Sequence, residues 1–111
     1  MKLREQKCVP CHSGMPPLSH EDAIAMHEEI PEWTLRDNAV ERMFAFKDFK
    51  DSIDFVNKVA EIANEQDHHP DIHIYYNKVR IELTTHKIKG LSENDFILAA
   101  KINSINVAGG Q

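Results

Sequence analysis

The sequence predicts an α+β domain, a four-stranded antiparallel sheet with helices packed on one face, in the element order α-β-β-α-β-β-α. Two stretches, Trp33 to Phe46 and Ile72 to Leu83, alternate apolar with polar residues around a turn signal. Between them, Phe49 to Gln66 carries apolar residues at helical spacing. Two hairpins separated by a long helix fit an antiparallel sheet covered by helices. At 111 residues the chain holds one modest core and is too short for two ordinary domains.

The elements follow in order. Residues 1–17 contain three prolines and a glycine with little apolar periodicity, so they read as an N-terminal tail, loosely docked or poorly ordered; 18–111 read as the single domain. Ser19 is a good N-cap with Asp22 three residues on, and Ile24, Met26, His27 and Ile30 follow before Pro31 closes a short helix. Trp33 and Leu35, then Val40, Arg42, Phe44 and Phe46, alternate around Asp37-Asn38 and predict a hairpin pairing about 32–37 with 40–48. Trp33 reads as a core residue. The longest helix should bury Phe49, Ile53, Val56, Ala60 and Ala63, joined by Phe55, Val59 and Ile62. A second hairpin turns at Asn77-Lys78, with Ile72, Ile74 and Tyr76 facing Val79, Ile81 and Leu83. Ser92 caps the last helix, with Asp95 at its third position and Phe96, Ala99, Ala100, Ile102 and Ile105 inward.

Charge and composition exclude several function classes. A formal net charge of −5, with acidic residues spread along the chain, argues against a phosphate-binding surface, so nucleic acid is not an expected direct partner. No apolar run approaches the ~20 residues that span a bilayer, and the N-terminus lacks the apolar core of a signal peptide. A cytoplasmic protein with Cys8 and Cys11 as free thiols is the expectation. The string Cys8-Val9-Pro10-Cys11-His12 matches a haem-attachment spacing, but haem attachment needs export. Zinc held by Cys8, Cys11, His12 and His20 is the other reading, against irregular spacing and no second Cys pair.

Chemistry concentrates between Glu65 and Asp95, which holds four of the seven histidines: His68, His69, His73 and His86. His68 and His69 lie side by side before Pro70, in a polar connector where a rigid scaffold can present functional groups. Histidine is the side chain whose unperturbed pKa lies nearest neutrality, suited to taking and giving protons. Pro70 forces His69 toward an extended backbone, so the two rings should point to opposite sides and do different jobs. Strand parity places His86 with Arg80, Glu82 and Thr84, away from the apolar row. Asp95 has two compatible roles, closing a capping box with Ser92 or accepting the ring proton of His86. A rival reading is a metal site of His68, His69 or His73 with His86, completed by Asp67, Asp71 or Asp95. His73, His12, His20 and His27 read as surface residues.

Taken as strings, Asp67-His68-His69-Pro70, Tyr76-Asn77-Lys78-Val79, Thr85-His86 and Gly90-Leu91-Ser92-Glu93-Asn94-Asp95 resemble the pterin-4a-carbinolamine dehydratase family. Ile30-Pro31-Glu32-Trp33 looks like the same stretch in that family, and the likeness runs from about Leu18 to Val107. It departs at Asn64, one helical turn before His68, where the family leads one to expect an acidic residue. The resemblance implies dehydration of a 4a-hydroxytetrahydropterin by His68, His69 and His86, with Pro70, Thr85, Lys87, Ile88 and Asp95 in substrate binding. It implies no metal and no cofactor, a small-molecule pterin as partner, and a homodimer or homotetramer. It also implies an alternative, a non-catalytic interaction or regulatory module, because animal members stabilise dimers of a transcription factor.

Overall fold

A computed structural model describes residues 2–10 and 14–105. Three helices, α1 (His20–His27), α2 (Phe49–Gln66) and α3 (Glu93–Asn103), accompany four strands, β1 (Thr34–Leu35), β2 (Val40–Ala45), β3 (Asp71–Tyr75) and β4 (Lys78–Leu83). The sheet runs β1-β2-β4-β3 with every neighbouring pair antiparallel. The predicted class and element order are therefore the ones observed, with short 3-10 turns at Leu3–Glu5 and His86–Ile88 added. No described helix is long and apolar enough to cross a membrane.

Register explains why one sheet face is buried. Val40 pairs with Leu83, Arg42 with Ile81 and Phe44 with Val79, and residues directly opposite share a face. Their apolar members meet α2 through Phe55, whose ring lies 4.6 Å from that of Phe44 and 5.1 Å from that of Phe46, centroid to centroid. The other face carries Glu41, Met43, Arg80, Glu82, His73 and Tyr75 and is solvated, with Met43 and Tyr75 exposed. Trp33 is core, as expected, and its indole N–H donates to Asn103 Oδ1 at 2.7 Å, where the Arg42 guanidinium also donates. His27 is not a plain surface residue: its Nε2 donates to the Trp33 carbonyl at 2.6 Å.

Local chemistry corrects three boundaries. The first hairpin pairs only two residues of β1, because the Ile30 carbonyl accepts the Trp33 N–H and holds that segment in a turn, while Arg36 N–H closes the other end on Ala39 O. In the second hairpin the turn is Tyr76-Asn77, since Tyr75 pairs with Lys78; Tyr76 takes a left-handed φ of 50, which is uncommon for a tyrosine. In α2 the buried row is Ser52, Phe55, Val59 and Ala63, while Ala60 is exposed and Phe49, expected inside, is 50% exposed. Phe49 is the first residue of the helix, directly after the N-cap Asp48, whose carboxylate accepts the Asp51 N–H.

The N-terminal segment departs most from the tail that was expected. Leu3 is only 2% exposed and belongs to the core, and the first turn lies against α3. Its backbone is tied down by Glu29 Oε1 accepting Leu3 N–H at 3.2 Å and Lys101 Nζ donating to Arg4 O at 2.9 Å. With this arm on one side and the α2-covered core on the other, α3 is buried from Asn94 through Ala100, wider than the single face its sequence suggests. Truncating Leu3→Ala is expected to cost about 2–4 kcal/mol, measured by urea denaturation. An unchanged midpoint would show that the arm is undocked in solution.

Candidate active site

The C-terminus of α2 sets the position of the two adjacent histidines. Asp67 takes the left-handed conformation at φ 53, and His68 N–H reaches back to Ala63 O at 3.2 Å, the bond that marks a Schellman-type helix end. The chain reverses there, and Pro70 holds it extended into β3. The two rings reach different acceptors but line one cleft, not opposite sides. His68 Nε2 donates to Asp95 Oδ1 at 2.6 Å, and His69 Nε2 donates to Asn64 Oδ1 at 3.0 Å.

Asp95 anchors the site from α3. It is completely buried and accepts from three donors: the His68 ring, the Thr85 hydroxyl at 2.8 Å and the Ser92 N–H at 2.9 Å. All three partners donate, so the carboxyl group serves here as acceptor only. The Ser92 bond is the carboxylate half of the expected capping box. The other expected role needs correction, because the ring that Asp95 orients is that of His68, not His86.

His86 sits elsewhere for a local reason. Strand β4 ends at Leu83, and Thr85 and Gly90 bridge across a 3-10 turn over His86–Ile88, with Lys89 left-handed at φ 56. Gly90 is required there, since a Cβ would lie 2.8 Å from Pro17 Cβ. The turn swings His86 outward, so its side chain is 77% exposed and its Nε2 lies 3.9 Å from Asp71 Oδ2, beyond hydrogen-bond range. Strand parity thus does not apply at His86, although the expectation that it lies outside the core holds.

These elements enclose a cleft of about 270 Å³, just under the ~300–1,000 Å³ usual for small-molecule sites. His68, His69, His86, Thr85 and Lys87 line it, together with Asp67, Thr84, Asn94 and, from the N-terminal arm, Val9 and Pro10. Of the expected substrate contacts, Pro70 and Ile88 are not among the lining residues; the Ile88 side chain is buried under the 3-10 turn, and Asp95 stands behind His68. His73 lies on the outer sheet face opposite Arg80. Among the described residues no three His, Cys, Asp or Glu side chains are placed to share an ion. Of the zinc set read from the sequence, Cys11 and His12 lie outside the described residues, and Cys8 Sγ contacts the Asn94 carbonyl at 3.6 Å. Asn94, Val9 and Pro10 carried no signal in the sequence, since nothing in a proline-bearing tail indicates where it docks.

The chain is similar to proteins of one family. The model of the family described as pterin 4 alpha carbinolamine dehydratase matches residues 16–105. A protein of Nitrosomonas eutropha, provisionally named a pterin-4-alpha-carbinolamine dehydratase, is 45% identical over 107 residues, covering 96% of this chain and 95% of its own. One from Halorhodospira halophila with the same provisional name is 45% identical over 107 residues, covering 95% and 98%. Among solved structures, a transcriptional coactivator/pterin dehydratase from Brucella melitensis superposes with a TM-score of 0.75 at 31% identity, covering 79% of this chain and 96% of that one.

Proposed function

Because the chain belongs to the pterin-4-alpha-carbinolamine dehydratase family, a family of hydro-lyases, we propose that it converts a 4a-hydroxytetrahydropterin to the quinonoid dihydropterin and water, a step of tetrahydropterin recycling. The observation that carries this reading is the convergence of His68, His69 and His86 on one cleft, with the His68 ring held by a buried carboxylate.

The reaction breaks the C4a–O bond and forms a C4a=N5 double bond. The hydroxyl leaves as water after gaining a proton, and N5 gives up its own. One base and one acid suffice, and positioned groups of this kind contribute roughly 10²–10⁴-fold each. The His68–Asp95 pair suits the base. With Nε2–H donated to the carboxylate, Nδ1 is the nitrogen left to accept the N5 proton, and Asp95 then compensates the imidazolium charge. His69 and His86 are the groups left to protonate the departing hydroxyl. His69 has a neutral amide behind it, Asn64, where the family resemblance led us to expect an acid, and His86 is open to solvent and so able to recover its proton from water.

The direct test is the rate of 4a-hydroxytetrahydropterin dehydration, followed by absorbance against the uncatalysed rate, with and without a chelator. Acceleration that survives chelation is expected. A rate equal to the uncatalysed one would overturn the reading and favour the second, a non-catalytic interaction module. That second reading draws on the Brucella melitensis neighbour, which is described as a coactivator as well as a dehydratase.

A further inference from the structure

We propose that residues 8–10 of the N-terminal arm are part of the substrate site, with Asn94 positioning Val9 and Pro10 as the apolar wall against which the pterin ring is held. This rests on the dehydratase reading and extends it to a segment that lies before the family match, which begins at residue 16.

Composition of the cleft carries the first step. Among the described residues, Val9 and Pro10 are the only lining side chains that are hydrocarbon throughout; every other described one bears a charged or hydrogen-bonding group. Small-molecule sites are ordinarily lined mostly by apolar groups, with a few polar ones fixing orientation. A flat bicyclic ring bound only by histidines, threonines and a lysine would lack the surface that removes its faces from water. Among the described lining residues, the wholly apolar side chains that add such surface come from the arm.

Anchoring carries the second step. Val9 N–H donates to Asn94 Oδ1 at 2.9 Å, and Asn94 Nδ2 donates back to Val9 O at 2.6 Å. The buried amide thereby satisfies both backbone groups of Val9, as a neighbouring strand would. One residue earlier, Cys8 N–H donates to Gln66 Oε1 at 2.9 Å, fixing the arm to the last turn of α2 just ahead of His68. Val9 nevertheless keeps 60% of its surface exposed. Its backbone is held and its side chain is left uncovered at the cleft, which is the arrangement of a preformed contact awaiting a ligand. The arm is no peculiarity of this chain either: the Nitrosomonas eutropha match spans 96% of it, so Val9 and Pro10 fall inside the matched region.

The wall acts on binding, so it should appear in KM more than in kcat. Val9→Ser removes the apolar contact from an exposed position without threatening the fold and is expected to raise KM by about tenfold, with kcat within about twofold. Val9→Ile should restore the wild-type KM. Asn94→Ala, which releases the arm, should raise KM similarly and weaken binding of 7,8-dihydrobiopterin, a non-reacting probe, by the same factor. A Val9→Ser enzyme with wild-type KM and wild-type affinity for 7,8-dihydrobiopterin would overturn the proposal while leaving the dehydratase reading standing. If wild-type protein itself gives no acceleration, the dehydratase reading fails and this proposal falls with it, a failure visible without any variant.

Discussion

His68→Gln is expected to lower kcat for dehydration by about 10²–10³-fold while leaving the melting temperature nearly unchanged. Glutamine is close to histidine in size and keeps an N–H that can donate to Asp95 Oδ1, so the buried carboxylate retains its three donors. What it loses is the second ring nitrogen. A primary amide cannot take a proton from N5 near neutral pH, and that loss separates chemistry from structure at this position. His69→Gln and His86→Gln should each cost less, because either ring can still protonate the leaving hydroxyl when the other is gone. A His68→Gln enzyme within twofold of wild type in a stopped-flow absorbance assay would remove His68 from the chemistry.

The fold was legible because two periodicities are written into the chain at different places. Alternation in Val40 to Phe46 and Ile72 to Leu83, and helical spacing in α2, are the imprint of burial on one face, and burial decides both. Sequence pattern and structure part where burial does not decide. Tyr76 turns the second hairpin in a left-handed conformation that its side chain does not advertise, so the turn lay one residue earlier than Asn77-Lys78 suggested. Phe49 is apolar at a helical position but stands at the helix start, where geometry leaves it outside. The arm is held by side chains bonding to its backbone from Gln66, Asn94 and Lys101, and such partners leave no pattern in the arm itself.

The site divides in the same way. A pair of histidines before a proline stands out in a string, yet the two rings line one cleft where the extended backbone suggested opposite sides. Which acceptor each ring reaches is tertiary information. Asp95 was readable as a capping residue from its distance to Ser92, but its partnership with His68 depends on the α2 terminus and the α3 start being brought together by the core. His86 escapes the parity argument because β4 ends at Leu83, three residues short of it, and His86 itself opens the 3-10 turn.

Asp95 is where stability and chemistry meet, and two substitutions should separate them. Asp95→Ala leaves the His68 ring, the Thr85 hydroxyl and the Ser92 N–H without their shared acceptor in a buried site. Breaking a buried, hydrogen-bonded pair from one side costs about 3–5 kcal/mol, so this variant should unfold at markedly lower urea or not accumulate at all. Asp95→Asn keeps the shape and should cost about 1–3 kcal/mol, leaving folded protein to assay. If its carbonyl oxygen stays with Ser92 and Thr85, the new NH₂ group faces His68. The ring must then accept at Nε2 and carry its proton on Nδ1, the tautomer that cannot receive a proton from N5. We expect kcat to fall by about 10²-fold or more with KM little changed, and little further loss when His68→Gln is added, because both substitutions disable one proton acceptor. Additive losses in the double variant would instead assign Asp95 and His68 independent roles and refute their action as a pair.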